Sequence, residues 1–363
     1  MSTDTLRVGV VGLGWAGETH LKAYLQQPGV EVIAVADPAD IRRGQIATTY
    51  SIPHDYADYR DLVARDDIDV VSVATPNHLH APVTIAALEH GKHVLCEKPL
   101  ARSGAEGEAM VRAATAAGRV LQVAFNHRQR GDVQVLKNYI ESGGLGHVYH
   151  AKASWMRRAG IPGMGGWFTN REMAGGGPMI DLGVHVLDMA LYLLGEPQVV
   201  SVSAATYAEL GPRGRGSRGD KTLVGKGGYE VEDLATAFVR LGDGATLLIE
   251  ASWAVYGKSA DDFGVTLYGT EGGADITVKN YNWEDTLTIY TDTVGVPAEV
   301  RPRVTRGEGH NAVVHNFIAA ISHRRLGDSR TGAKRLLRAQ IIDACYQSAL
   351  EGHEIALVSS LSQ

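Results

Sequence analysis

Five short runs rich in valine and isoleucine recur through the first 125 residues, at 7–11, 31–36, 70–74, 93–97 and 120–125. Each is apolar almost without a break, as a strand covered on both faces must be. Between them, segments such as 81–90 and 104–117 carry helical spacing. Strands that alternate with helices run parallel and are joined by right-handed crossovers. The pattern therefore predicts an α/β fold with a doubly wound parallel sheet over residues 1–125.

The first run enters "VGVVGLGWAG", which contains Gly12-x-Gly14-x-x-Gly17. In this spacing the first glycine allows a tight turn. The second lets backbone meet a pyrophosphate, and the third lets helix and strand pack closely. Free N–H groups at the helix start then face the phosphates. Gly12, Gly14, Trp15 and Ala16 are accordingly expected to bind a dinucleotide. Asp37 closes the second strand twenty residues past Gly17, where a carboxylate can accept from a ribose 2′-hydroxyl and repel a 2′-phosphate. NAD is therefore expected ahead of NADP, although Arg42 and Arg43 keep the phosphorylated cofactor open.

Two further strand ends carry polar residues. "ATPNHLHAP" follows the third run, and Thr75, Pro76, Asn77, His78 and His80 are expected near the nicotinamide side. "GKHVLCEKPLA" places Glu97 and Lys98 at the end of the fourth. Ligands of open parallel sheets bind beyond the carboxyl ends of the strands. A partly buried lysine there would have a lowered pKa and could polarise or protonate a substrate. An ordinary Lys98–Glu97 surface pair is the alternative, and Pro99 speaks mildly against it.

Beyond about residue 145 the texture changes to longer strands, at 148–156, 199–207, 233–241, 246–253 and 263–269, with "GDG" and "GTEGG" turns. Helices are expected at 133–142 (joining the two parts), 179–194, 310–323 and 331–351. This predicts a second domain, 126–363, with a large open, mostly antiparallel sheet, the last helix packing back on the first domain. The stretch 209–228, rich in Gly, Arg and Lys, reads as a mobile loop with a lid as the bolder option.

The segment 175–188, "GGGPMIDLGVHVLD", opens a helix that is apolar on nearly every side and so must be buried. Asp181, His185 and Asp188 would share one stripe at i, i+4 and i+7. Buried polar groups without partners cost about 1–3 kcal/mol each. Mutual bonding would satisfy them, Asp181 orienting His185 and raising its basicity, which makes the imidazole a candidate general base. The glycines Gly175–Gly177 would leave room for a substrate. A satisfied core histidine is the competing reading for His185 alone.

Composition narrows the classes. A net charge of −6 gives no basic face for nucleic acid. No run of about 18 apolar residues suggests a membrane span. The N-terminus lacks an apolar signal core, so a cytoplasmic protein is expected. Two cysteines, Cys96 and Cys345, give neither a disulfide framework nor a zinc spacing, and no metal is expected.

Taken together, "VGVVGLGWAG", "ATPNHLHAP", "GKHVLCEKPLA" and "GGGPMIDLGVHVLDMALYLLG", with "EVEDLATAFVRLGDGA" later, resemble the Gfo/Idh/MocA oxidoreductase family over most of the chain. The resemblance implies a Rossmann domain followed by an α/β domain whose open sheet often serves oligomerisation, here a homo-oligomer of two or four subunits. It implies hydride transfer between NAD and a carbon bearing a hydroxyl, on a sugar, glycoside or cyclitol, C3 of a pyranoside being the best guess. Lys98 would orient and polarise that hydroxyl. His185 would take its proton, and Asp181 would support His185 and touch substrate. Asn126 and Arg128 of "FNHR" would contact substrate. From the residues themselves, Trp155, Arg157, Arg158 and Trp167 offer aromatic faces for a sugar ring and cations for an anionic substituent. They read equally well as core and solvated surface. His310 could face the same site. A glycoside hydrolase using NAD transiently, by oxidation, elimination and re-reduction, is the alternative. A non-catalytic dinucleotide sensor is a third reading.

Overall fold

A computed structural model describes residues 5–217, 228–322 and 329–357. The part of the predicted loop at 218–227 lies outside them. The chain forms two compact units, residues 1–126 with 308–339, and 127–307 with 340–363.

The first unit alternates as its sequence demands. Its elements are β1 (Leu6–Val11), α1 (Trp15–Leu25), β2 (Val30–Ala36), α2 (Asp40–Thr49), β3 (His54–Tyr56), α3 (Tyr59–Val63), β4 (Val70–Val73), α4 (His80–Glu89), β5 (His93–Cys96), α5 (Gly104–Ala117) and β6 (Leu121–Val123). All six strands are parallel, in the order β3-β2-β1-β4-β5-β6. The order reverses between β1 and β4, so the carboxyl ends of those strands form the crevice where such sheets bind ligands. β1, β4 and β5 are buried over nearly their whole length, which explains their unbroken apolar texture. α5 is punctuated by its sequence. The Ser103 hydroxyl accepts from the Glu106 N–H at 3.2 Å, and Gly118 closes the helix with φ +59°.

The second unit opens with α6 (Gly131–Glu141) and continues through β7 (Val148–Arg157), α7 (Arg171–Ala174), one π-helical turn (Met179–Gly183), α8 (Val184–Leu193), β8 (Val199–Tyr207), β9 (Leu234–Leu241), β10 (Thr246–Ser252), β11 (Asp261–Gly269), β12 (Gly273–Lys279), β13 (Leu287–Thr293) and β14 (Val296–Val300). With β15 (Ile355–Ala356) these strands build a nine-stranded sheet, β14-β13-β12-β11-β7-β10-β9-β8-β15. Only β7 and β10 pair parallel, and every other neighbour is antiparallel. Burial alternates along β9 and β11. One face is covered and the other stays open, as the period of two requires.

Two late helices remain, α9 (His310–Ser322) and α10 (Ser329–Glu351). The change of texture beyond residue 145 places α9 in the second domain. Instead Val313, Val314 and Phe317 complete the core of the first unit, with Val8, Leu21, Tyr24 and Leu95. α10 begins in the first unit and ends in the second. The described end of the predicted loop is also ordered. Residues Gly211–Arg213 form a helical turn anchored where the Asp233 carboxylate accepts from the Leu210 and Gly211 N–H groups, and Ser217 bridges to Ile161. Among the described residues no helix is long and apolar enough to cross a membrane.

Candidate active site residues in each unit

In the first unit the glycine motif lies at the carboxyl end of β1, and each glycine does something different. Gly12 has φ +86°, and a Cβ there would stand 2.5 Å from the Ala74 carbonyl oxygen. A Cβ on Gly17 would meet the Gly12 carbonyl oxygen at 1.8 Å. Gly14 has ordinary extended backbone and nothing within 4 Å of a Cβ position, so its missing side chain opens space to solvent. That open ledge at a helix start is what a pyrophosphate needs. Gly14→Val is therefore expected to leave thermal unfolding of the chain unchanged and to abolish dinucleotide binding. A fluorescence titration beside a melting curve checks both halves.

Asp37 directly follows β2 with its carboxylate turned to this loop, accepting from the Leu13 and Ala39 N–H groups at 2.8 Å each. The two bonds fix its direction. Arg42 and Arg43, which kept a 2′-phosphate in play, are committed elsewhere. Arg42 pairs with Glu18 at 2.5 Å and donates to the Leu13 carbonyl. Arg43 pairs with Asp40 and Asp55 at 2.8 and 2.7 Å. The charge distribution around Asp37 thus favours a plain ribose.

Thr75, Pro76 and Asn77 follow β4, Glu97 and Lys98 follow β5, and Asn126 follows β6, all at the same sheet edge. His80 does not join them as a ligand. Its ring is 1% exposed and spans the Thr75 and Pro99 carbonyls at 2.9 and 2.7 Å, tying two of these loops together. Burial pushes its pKa down, outweighing those two contacts. Lys98 is half-buried behind a cis peptide to Pro99. Glu97 is not its surface partner but a buried carboxylate, which accepts from the Lys98 N–H at 3.0 Å and contacts the His20 ring at 2.9 Å. His310 also belongs here rather than with the substrate candidates. Its ring lies 3.5 Å from Glu97, and its centroid is 5.7 Å from that of Trp15. Neither His20 nor the role of α9 was visible in the sequence, because nothing in the spacing said that residue 310 returns to the first sheet.

In the second unit the segment after the glycine triplet is wound differently from expectation. Asp181 lies in the π turn and His185 at the start of α8. The wider winding breaks the simple stripe. Such turns cluster at functional sites. Asp181 is half-buried, and its carboxylate accepts from the Trp253 indole N–H at 2.9 Å. Trp253 in turn meets Phe168 edge-on at 6.4 Å, and Phe168 stacks on Trp167 at 3.7 Å. His185, 8% exposed, is walled by His127 at 4.7 Å and Trp155 at 5.5 Å between centroids. Phe263 stacks on Trp155 at 4.5 Å, with Tyr281 at 6.0 Å from Phe263. The two candidate catalytic side chains therefore each sit in an aromatic wall.

Several candidates take other duties. Asp188 leaves the stripe to bind Arg128, with contacts of 2.5 and 2.6 Å. Arg128 also reaches Glu196 at 3.3 Å, so this guanidinium is committed to structural ion pairs and not offered to a substrate anion. Burial works against its charge, but Asp188 wins and holds its pKa above the usual arginine value. Arg157 is spoken for by Asp261 at 3.0 Å, which also accepts from the Trp155 indole at 2.8 Å. Arg158 is exposed, with its guanidinium 4.2 Å from the Tyr256 ring centroid. The glycine triplet makes room for protein, not substrate. A Cβ on Gly176 would lie 2.0 Å from the Tyr346 hydroxyl, and one on Gly177 would lie 2.2 Å from the Glu232 carbonyl oxygen. Glu232 lies in "EVEDLATAFVRLGDGA", His127 in "FNHR" and Trp253 at the end of the run 246–253. Each is a single residue in an apolar or mixed run with no spacing to mark it.

Residues 6–125 match a family profile described as an oxidoreductase family with an NAD-binding Rossmann fold. Residues 133–275 match a GFO/IDH/MocA C-terminal domain. The chain is 32% identical to the D-glucoside 3-dehydrogenase of Escherichia coli (strain K12), over 98% of this chain and 99% of that one. It is 34% identical to the levoglucosan dehydrogenase of Pseudarthrobacter phenanthrenivorans, over 79% of this chain and 76% of that one. A solved structure of levoglucosan dehydrogenase in complex with NADH and levoglucosan superposes with a TM-score of 0.83 at 29% identity, covering 97% of this chain and 99% of that one. These relatives are dehydrogenases, and the redox-assisted hydrolase reading gains no support from them. With both domain profiles matched and full-length likeness on either side, the chain belongs to the Gfo/Idh/MocA oxidoreductase family.

Proposed function

We propose that the chain is an NAD-dependent dehydrogenase that oxidises a ring hydroxyl of a pyranoside, at C3. One observation carries this reading. The full-length likeness to a glucoside 3-dehydrogenase comes with Lys98 at the end of β5 and with Asp181 and His185 around the start of α8. A sensor would have no use for such a set. Gly14 and the N–H groups after it would hold the pyrophosphate, Asp37 the ribose, and the loops after β4 and β5 the nicotinamide end. When bound, NAD supplies the hydride acceptor. Lys98 orients and polarises the reacting hydroxyl, and His185 takes its proton. Asp181, directed by Trp253, supports the imidazole and accepts from a sugar hydroxyl. The stacked, partly exposed Trp167 and Phe168 suit the apolar faces of a sugar ring, whereas Trp155 and Phe263 are buried and belong to the core.

The substrate is read as neutral. Of the two cations read for an anionic substituent, Arg157 is matched by Asp261 and Arg158 lies over the Tyr256 ring. Action in the cytoplasm fits two free, buried cysteines. Assembly into a homo-oligomer fits the open face of the nine-stranded sheet, where Lys152, Thr236, Leu248, Glu250 and Thr266 line a groove of about 820 Å³. The test is a panel of glucosides, levoglucosan, cyclitols and acidic sugars, offered with NAD and with NADP. The expected result is one NADH per neutral pyranoside oxidised, no release of aglycone, and weaker use of NADP. Aglycone release on catalytic NAD, or no turnover of any pyranoside, would overturn the reading.

A further inference from the structure

Behind Lys98 the first unit gathers three side chains that the proposed reaction does not use together. His20 comes from α1, Glu97 from the end of β5 and His310 from the start of α9. Their donor atoms lie within 4.8 Å of one another. Glu97 Oε1 stands 2.9 Å from His20 Nε2 and 3.5 Å from His310 Nε2. In a tetrahedral zinc site with bonds of about 2.0–2.2 Å, donor atoms sit about 3.3 Å apart. The trio is thus close to ligand spacing, and only the far histidine must move inward.

The surroundings are those of a built site. His20 is fully buried, and its other nitrogen, Nδ1, meets the Ser72 hydroxyl at 2.8 Å. That hydroxyl can donate or accept. It can therefore hold the ring in the tautomer that presents a bare Nε2, the outer contact that metal-binding histidines require. Glu97 spends its other oxygen on the Lys98 N–H, which leaves Oε1 for the histidines. His310 retains 12% side-chain exposure, which gives a route in, and the exposed Trp15 lies edge-on to it.

We infer that His20, Glu97 and His310 form a binding site for one divalent transition-metal ion of the zinc class, with a fourth position left open. Two imidazoles and one carboxylate suit zinc, cobalt or nickel, and exclude magnesium, which prefers oxygen ligands in an octahedron. The ion replaces the proton between His20 and Glu97, so binding releases protons to solvent. It also ties the start of α9 to the end of β5. The inference does not depend on the proposed dehydrogenase activity.

The test uses the full chain, stripped with chelator and free of dinucleotide. Zinc is titrated against a chromophoric chelator, and cobalt(II) is followed by its visible absorption. One zinc per chain and the intense cobalt bands of a tetrahedral site are expected, with no effect of magnesium. His310→Ala, at a helix start, should fold as the wild type does by circular dichroism and lower zinc affinity at least about tenfold. His20→Gln should do the same or more. Absence of stoichiometric zinc, or His310→Ala binding zinc as tightly as the wild type, would overturn the site.

Discussion

Lys98→Ala is expected to lower kcat by about two to four powers of ten while dinucleotide affinity and folding stay as they are. Lys98 is half-buried at a strand end, and the carboxylate beside it is already occupied by His20 and by backbone. Two contacts of that carboxylate, to the His20 ring and to the Lys98 backbone N–H, do not use the ammonium and survive its removal. The loss falls on polarising the hydroxyl. Lys98→Arg should rescue little, because a planar fork cannot replace a compact ammonium. Steady-state kinetics with a pyranoside, beside an NAD fluorescence titration, separates the two effects. A kcat near wild type in Lys98→Ala would remove this lysine from the chemistry.

What the sequence disclosed follows from where each constraint is local. The strands buried on both faces, β1, β2, β4 and β5, announce themselves as apolar runs, because nearly every side chain past their first residues meets protein. The glycine motif is equally legible, since sterics at Gly12 and Gly17 act within a few residues or on the neighbouring strand. The short edge strand β3 carries "HDY" and passes for loop. So does β14, with Pro297 and mostly exposed side chains. Both lie at sheet edges, where little apolar burial is required. α9 shows its apolar face plainly, but the partner of that face is a core completed 300 residues earlier, and only tertiary structure reveals it. The same limit applies to charge. Asp188 and Arg128 each looked chemical on their own, and their pairing across 60 residues makes them structural. Lys98, Asp181 and His185 could be singled out only because flanking motifs framed them. His127, beside His185, and Trp253, beside Asp181, had no such frame.

Glu232→Ala should have the largest effect on the second unit. This carboxylate is 3% exposed and accepts from the Gly177 N–H at 2.9 Å, the Met179 N–H at 3.1 Å and the Tyr346 hydroxyl at 2.8 Å. It therefore holds the first residues of the π turn that carries Asp181. The glycine triplet exists so that backbone can come this close. Deletion leaves three buried donors without an acceptor, at about 1–3 kcal/mol each before water recovers part. A net loss of about 3 kcal/mol is expected, which lowers Tm by roughly 6–12 °C for a unit of this size. The turn then loses its anchor, and kcat should fall along with stability. Glu232→Gln separates the two roles. Its single oxygen can serve one side only, and its amide must face either an N–H or the tyrosine hydroxyl, so it should keep most stability yet still lose turnover. The pH dependence supplies an independent sign. Burial raises the Glu232 pKa above 4.5, and the three hydrogen bonds offset it only in part. Between pH 4.5 and its higher folded-state value, the folded unit therefore binds more protons at this group than the unfolded chain does. The stability contributed by this group is complete below pH 4.5 and declines as pH rises through the folded-state value. Glu232→Gln should flatten that part of the curve. If it unfolds with the wild-type pH slope, or turns over at the wild-type rate, the carboxylate is neither the titrating group nor the anchor of the turn.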